Sequence, residues 1–127
     1  MDTIYDPLRR KDVARTPEEE VRQGVISWLH ASMGVPLVRM ASEWGFTYNR
    51  RKYRADVVVF DRALRPFLLV ECKAPGVALD EIVLDQVVRY TRVLQVEYIL
   101  VTNGTVTHLL RRGEGGGYSA APLPESF

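Results

Sequence analysis

Apolar residues recur at Val21, Val25, Trp28, Leu29 and Met33, the spacing of one helical face. Just before them stands Thr16-Pro17-Glu18-Glu19-Glu20, a strong helix start. Thr16 can cap, Pro17 suits the first helical position, and acids favour the positive end of the helix dipole. Gly34 and Pro36 end this helix. Residues 1–15 ahead of it are polar and aperiodic, which predicts an arm. Past the helix, Leu37 to Glu43 reads as a strand, and Trp44 to Arg54, rich in tyrosine and basic residues, as a loop or a hairpin. Ala55 to Phe60 and Phe67 to Lys73 are β-branched or apolar runs joined by Asp61 to Pro66, the pattern of two strands. Leu79 to Leu94 is predicted helical, with an apolar stripe of Leu79, Ile82, Val83, Val87 and Leu94. Its acids Asp80, Glu81 and Asp85 come early, and Arg89 and Arg92 late. Glu97 to Thr102 and Thr105 to Arg111 read as strands joined at Asn103-Gly104, a pair suited to a type I′ turn. Gly113 to Gly117 predicts the start of a flexible tail. The pattern thus divides the chain into an arm (1–15), a domain (16–112) and a tail (113–127). The domain runs helix, strand, hairpin, helix, hairpin.

The chain has 127 residues, a length for one α/β domain. With a net charge of +1 it carries no overall basic coat, so contacts with nucleic acid must come from local patches. Cys72 is the only cysteine, which excludes a disulfide framework and a cysteine-built zinc site, and favours a reducing cytoplasm. The first residues lack the apolar run of a signal peptide, and no stretch is long enough for a membrane span.

Chemistry concentrates on the two central strands. Side chains alternate across a strand, so Glu71 and Lys73 share a face while Val70 and Cys72 point into the core. If the hairpin is symmetric about Ala63-Leu64, Asp56 falls opposite Glu71. Directly opposed like charges destabilise a sheet. Two carboxylates among apolar neighbours call for a cation, and Lys73 supplies one charge. A divalent metal is the other answer, since magnesium keeps several waters and takes only one or two carboxylates. Such an ion activates water and neutralises charge on a phosphodiester. Taken singly, each acid reads as a solvated strand end or an exposed strand face. Only their shared register joins them into a site, and a one-residue bulge would undo it.

Asp56 followed after a strand by Glu71-Cys72-Lys73 resembles the D…(D/E)XK signature of the PD-(D/E)XK nuclease superfamily, with Ala55 where that family's variable proline stands. More narrowly, the chain resembles the N-terminal nuclease domain of type I restriction enzyme R subunits and its short stand-alone relatives. The matching pieces are Thr16 to Gln23, Asp56 to Asp61, Leu69 to Pro75, Gln86 to Tyr90 and Val101 to Gly104, in the family's order. The resemblance implies a restriction-endonuclease-like α/β core, a mixed central sheet flanked by helices. It implies DNA cleavage dependent on magnesium or manganese, with Asp56, Glu71 and Lys73 as the catalytic set and the Cys72 carbonyl as a further metal ligand. It implies that Glu19 helps hold the metal, Glu20 being the weaker substitute. It also places Gln86 and Tyr90, four apart on one helix face, beside the active site. Implied partners are DNA and a translocase or specificity subunit of a restriction system; a homo-oligomer is compatible with the sequence.

Several of these residues carry a second reading. Thr16-x-x-Glu19 is also a capping box, in which Glu19 folds back onto the Thr16 amide. Tyr90 also fits the apolar stripe of its helix. Arg50, Arg51, Lys52 and Arg54 form a basic segment beside Asp56, suited to phosphate contacts, and Tyr48 and Tyr53 could stack on exposed bases; the plain alternative is a solvated loop. His30 and His108 are not spaced as ligands, and Cys72 reads as a buried small hydrophobe. The function classes left standing are a nuclease, a nucleic-acid-binding or interaction module that keeps the nuclease fold without catalysis, and a structural domain with a vestigial site.

Overall fold

The structure, a computed structural model, describes residues 2–127. It is α/β: a mixed six-stranded sheet with a helix against each face, and a separate two-stranded sheet.

The small sheet is formed by β1 (Thr3–Asp6) and β2 (Lys11–Ala14), paired antiparallel. This corrects the expectation of an aperiodic arm. Asp6 is fully buried and its Oδ1 accepts the Leu8 amide at 2.8 Å, so a polar residue fixes the turn. Helix α1 (Pro17–Ala31) starts where the sequence places it, with the Glu19 amide donating to Thr16 Oγ1 at 3.0 Å. Its buried face is Val21, Val25, Ile26 and Leu29.

After a 3₁₀ turn at Leu37–Arg39, where a strand was expected, β3 (Met40–Tyr48), β4 (Arg51–Phe60) and β5 (Pro66–Cys72) form an antiparallel meander. The β3–β4 turn is Asn49-Arg50, both with positive φ (49° and 62°), as a two-residue type I′ turn requires. The Trp44 to Arg54 segment is therefore a hairpin. Helix α2 (Glu81–Thr91) is capped by Asp80, whose Oδ1 accepts the Val83 amide at 3.0 Å, and continues into a 3₁₀ turn over Arg92–Leu94. Its packed face holds Leu84, Val87 and Val88; Ile82, expected in the stripe, is 69 % exposed.

The chain then returns as β6 (Tyr98–Thr102), parallel to β5, followed by β7 (Thr107–Arg112) and β8 (Tyr118–Ala120). The β6–β7 connection is not a two-residue type I′ turn. Thr102 pairs with Thr107, only Gly104 of the Asn103-Gly104 pair has positive φ, and the Asn103 side chain organises a four-residue loop. Its Oδ1 accepts the amides of Thr105 and Val106, and its Nδ2 donates to Val77 O. The glycine-rich segment is not a flexible tail either. The Gly113 amide donates to Gly117 O at 2.8 Å in a tight turn that leads into β8. Phe127 returns to α1, its amide donating to Met33 O and its ring packing edge-on against Trp28, Phe67 and Tyr98.

Sheet order is β3-β4-β5-β6-β7-β8. Val57, Val59, Leu68, Val70 and Cys72 pack toward α1; Val58, Leu69, Ile99 and Val101 pack toward α2. Both faces of the central strands are thus apolar, so any charge at their ends sits beside a dry core.

Candidate metal and nuclease centre

The β4–β5 ladder pairs Val57 with Val70, Val58 with Leu69 and Val59 with Leu68. Continued by one residue, this register sets Asp56 opposite Glu71. A shift does occur, between Val59 and Phe60, but it lies at the turn end and leaves the carboxylate end unchanged. On the other side the β3–β4 ladder skips one pair: Ser42 faces Val57 and Trp44 faces Ala55, while Glu43 takes a φ of 51°. The skipped partner of Glu43 is Asp56. Here the alternation breaks, for Ala55 joins the α2-side core with Val58, and Asp56 is left to bond elsewhere. Its Oδ2 accepts the Cys72 amide at 2.7 Å, and its Oδ1 lies 3.5 Å from Arg22 Nη2. The register is the same on both sides of the skipped pair, so the ladder is interrupted without an inserted residue.

Asp56 and Glu71 are each only 12 % exposed at the side chain. Burial raises the Asp56 carboxyl; the Cys72 amide and Arg22 oppose this, and the charge of Glu18 adds to it. Glu71 is pushed up to about 7, first by burial and then by the charge of Asp56, against the Tyr90 hydroxyl and Lys73. Lys73 Nζ is 3.6 Å from Glu71 Oε1, while Glu71 Oε2 is buried without a hydrogen-bond partner. Among the described residues, no group of three or more His, Cys, Asp or Glu forms a ready metal cluster. The donor set is two carboxylates with one oxygen unclaimed, which fits an ion that keeps most of its waters. Cys72 is in the core and its thiol is raised by burial, consistent with a small hydrophobe and not a nucleophile.

Glu19 is buried, and its oxygens face Arg9 Nη2 (2.7 Å), Gln23 Nε2 (3.1 Å) and Arg22 Nε (3.5 Å). It does not complete a capping box, because the Thr16 amide donates to Ala14 O instead. Glu20 is exposed and pairs with Arg15. The first-turn acid whose charge reaches Asp56 is Glu18, which the sequence reading passed over, as it did Arg22. A signal was available: Glu18 and Arg22 are four apart on one helix face.

The Tyr90 ring packs in the α2-side core, stacked at 5.0 Å on Tyr53 with Phe46 nearby, and burial and Glu71 raise its hydroxyl's pKa. Gln86 is exposed one turn earlier. Tyr53, stacked on Tyr90 and Phe46, has little ring face left for bases. Arg50, Arg51, Lys52 and Arg54 are exposed at the far end of the β3–β4 hairpin, with Arg54 3.8 Å from Glu43. Replacing Arg50, Arg51 and Lys52 with alanine should weaken DNA binding and flatten its dependence on salt without altering manganese affinity, because phosphate contacts release counterions. Fluorescence anisotropy across a salt series checks this; identical slopes would take the hairpin tip out of the DNA path. Elsewhere, an apolar hollow of about 610 Å³ between α1 and β7, lined by Val21, Trp28 and Leu109, contains none of these groups.

Residues 17–124 match the family model described as type I restriction enzyme R protein N terminus. The chain belongs to that family. Among curated proteins none matches. The family match spans α1 through the segment after β8, and so takes in Asp56, Glu71, Lys73 and the glycine-rich turn, while the β1–β2 hairpin lies ahead of it. Membership ties the chain to restriction systems. Among the described residues, no helix is long and apolar enough to cross a membrane.

Proposed function

We propose that this domain is a divalent-metal-dependent deoxyribonuclease of a restriction system, built on the PD-(D/E)XK arrangement. The observation that carries the reading is the buried apposition of Asp56 and Glu71 beside Lys73, with Glu71 Oε2 left without a partner. An unpaired buried carboxylate oxygen is costly, and a cation relieves it. Asp56 and Glu71 would hold magnesium or manganese, with the Cys72 carbonyl as a further ligand. When bound, the ion supplies charge neutralisation at a phosphodiester and activation of water.

The chain's own residues do the rest. Lys73 is 34 % exposed at the side chain, so its ammonium can reach both Glu71 and an incoming phosphate. Tyr90 orients Glu71 from the α2 side, with Gln86 one turn away toward solvent. Arg50, Arg51, Lys52 and Arg54 hold the DNA backbone as it runs past β4. A translocase or specificity subunit would bring that DNA to the domain, in the cytoplasm; a homo-oligomer offers another way to present two strands.

Plasmid and single-stranded DNA, incubated with and without manganese, test the proposal. The wild type should cut only with the metal, and Lys73→Ala should not cut while binding manganese at least as tightly, because an ammonium beside two carboxylates competes with the ion. Manganese binding without cleavage on either substrate would favour a binding module that keeps the fold. Cleavage by Lys73→Ala at the wild-type rate would remove Lys73 from the chemistry.

A further inference from the structure

The β1–β2 hairpin precedes the family match, yet its turn delivers a charged group to the candidate centre. The Arg9 guanidinium pairs with Asp6 through Nε, with Glu19 Oε1 through Nη2 at 2.7 Å, and with Glu43 Oε1 through Nη1 at 3.5 Å. Glu19 Oε2 lies 3.5 Å from Arg22 Nε, and Arg22 Nη2 lies 3.5 Å from Asp56 Oδ1. Arg22 Nη1 also stands 3.5 Å from Glu43 Oε1. A continuous run of alternating charge therefore links the hairpin to Asp56. The Arg22 side chain is 8 % exposed and its Nε is buried without a hydrogen-bond partner; the carboxylates of Glu19, Glu43 and Asp56, with the Ser42 hydroxyl accepting from Nη1 at 3.4 Å, surround it. Its equal 3.5 Å separations from Glu19, Glu43 and Asp56 show a cation shared among the three, with Asp56 receiving only part of its charge.

We propose that Arg9, Glu19 and Arg22 are positioning residues that set how strongly Asp56 attracts a divalent cation, with the N-terminal hairpin as the outer end of the relay. The proposal rests on the reading of Asp56 and Glu71 as a metal centre. The physics is competition. A fixed guanidinium near a carboxylate disfavours a second cation there. Arg9 spends part of the charge of Glu19, so Glu19 pulls less on Arg22 and Arg22 stays close to Asp56. Without Arg9, Glu19 draws Arg22 toward itself and Asp56 is released to the metal. Neutral Gln23, the other partner of Glu19, cannot replace the lost charge. Asp6, fully buried and tied to the Leu8 amide, fixes the turn that aims Arg9.

Calorimetric titration of the full chain with manganese tests the relay on wild type, Arg9→Met, Arg9→Lys, Arg22→Met and the double variant Arg9→Met/Arg22→Met. Arg9→Met should tighten binding by about tenfold, the size expected for loss of a neighbouring charge. Arg22→Met should tighten it at least as much. The double variant should bind no tighter than Arg22→Met alone, because Arg9 acts through Arg22, and such non-additivity is what a shared network produces. Arg9→Lys, which keeps the charge but not the three-pronged contact, should fall between wild type and Arg9→Met, and it serves if Arg9→Met fails to fold. An Arg9 effect that is absent, or that adds in full to that of Arg22, overturns the relay alone. A wild type that binds no manganese overturns the metal centre and the relay with it.

Discussion

Glu71→Gln is expected to make the metal-free protein more stable while abolishing manganese binding and DNA cleavage. The Glu71 carboxylate is buried, lies beside the charge of Asp56, and keeps Oε2 without a partner. Glutamine has nearly the same shape and no charge. It removes the repulsion and leaves the neighbouring apolar packing intact, and near pH 8 the gain should be about 1–3 kcal/mol. The same change deletes one of two anionic ligands, and cleavage should fall at least about a hundredfold, since a metal ion supplies several kcal/mol of charge stabilisation. Asp56→Ala should also lose metal and cleavage, but with the opposite sign in stability. It orphans the Cys72 amide and leaves Arg22 without one of its counterions, a cost of about 1–3 kcal/mol. Urea melts and calorimetry read both quantities on the same samples. A Glu71→Gln variant that is less stable and still binds manganese would sink the assignment.

Metal-free wild type should lose stability as pH rises from about 5 to about 8, and manganese should cancel the loss. Glu71 is raised from the ordinary 4.5 to about 7. A carboxyl raised on folding favours the folded state while protonated. Its contribution is full below the ordinary value and is lost as pH climbs through the folded one. The shift sets an upper bound of roughly 3 kcal/mol. Asp6 works in the other direction. Burial pushes it up, but Arg9 and the Leu8 amide outweigh that and hold its carboxyl below the usual range. Its contribution is present at neutral pH and disappears in acid, below the Glu71 window. Thermal melts in chelator should therefore show a maximum on the acid side of neutrality. Glu71→Gln should flatten the alkaline limb and leave the acid one. An unchanged alkaline limb in that variant would mean that another group titrates there.

The β4–β5 apposition was legible in the sequence because a β-branched run of period two admits few registers: a slip of one residue would turn Val57, Val59, Leu68 and Val70 out of the α1-side core. The register symmetric about Ala63-Leu64 holds from Val57–Val70 to Val59–Leu68 and fails only at the turn itself. Asp61 caps that loop through the amides of Ala63 and Arg65, Leu64 takes positive φ, and the ladder shifts beside it. Helix α1 was readable from Thr16-Pro17 and its stripe. Its charged residues could not be sorted, since a first turn and a half that carries Glu18, Glu19, Glu20 and Arg22 offers no hydropathy signal for which of them is buried. Tertiary packing buries Glu19 and Arg22 and leaves Glu18 and Glu20 outside. The N-terminal hairpin was invisible because a buried aspartate and an arginine organise it. The segment from Gly113 to Gly117 misled through composition: its glycines permit a tight turn that sends the chain into β8.

A six-stranded sheet that does not close has two free edges, each a template for adding another chain. Here both are blunted. The outer edge of β8 is three residues long, too short to hold a foreign strand in register. The outer edge of β3 is broken midway by the left-handed backbone of Glu43, on which Arg9 also leans, so an incoming strand would lose its hydrogen-bond ladder after a few residues. The left-handed residue opposite Asp56 therefore also discourages fibril-like stacking of the domain.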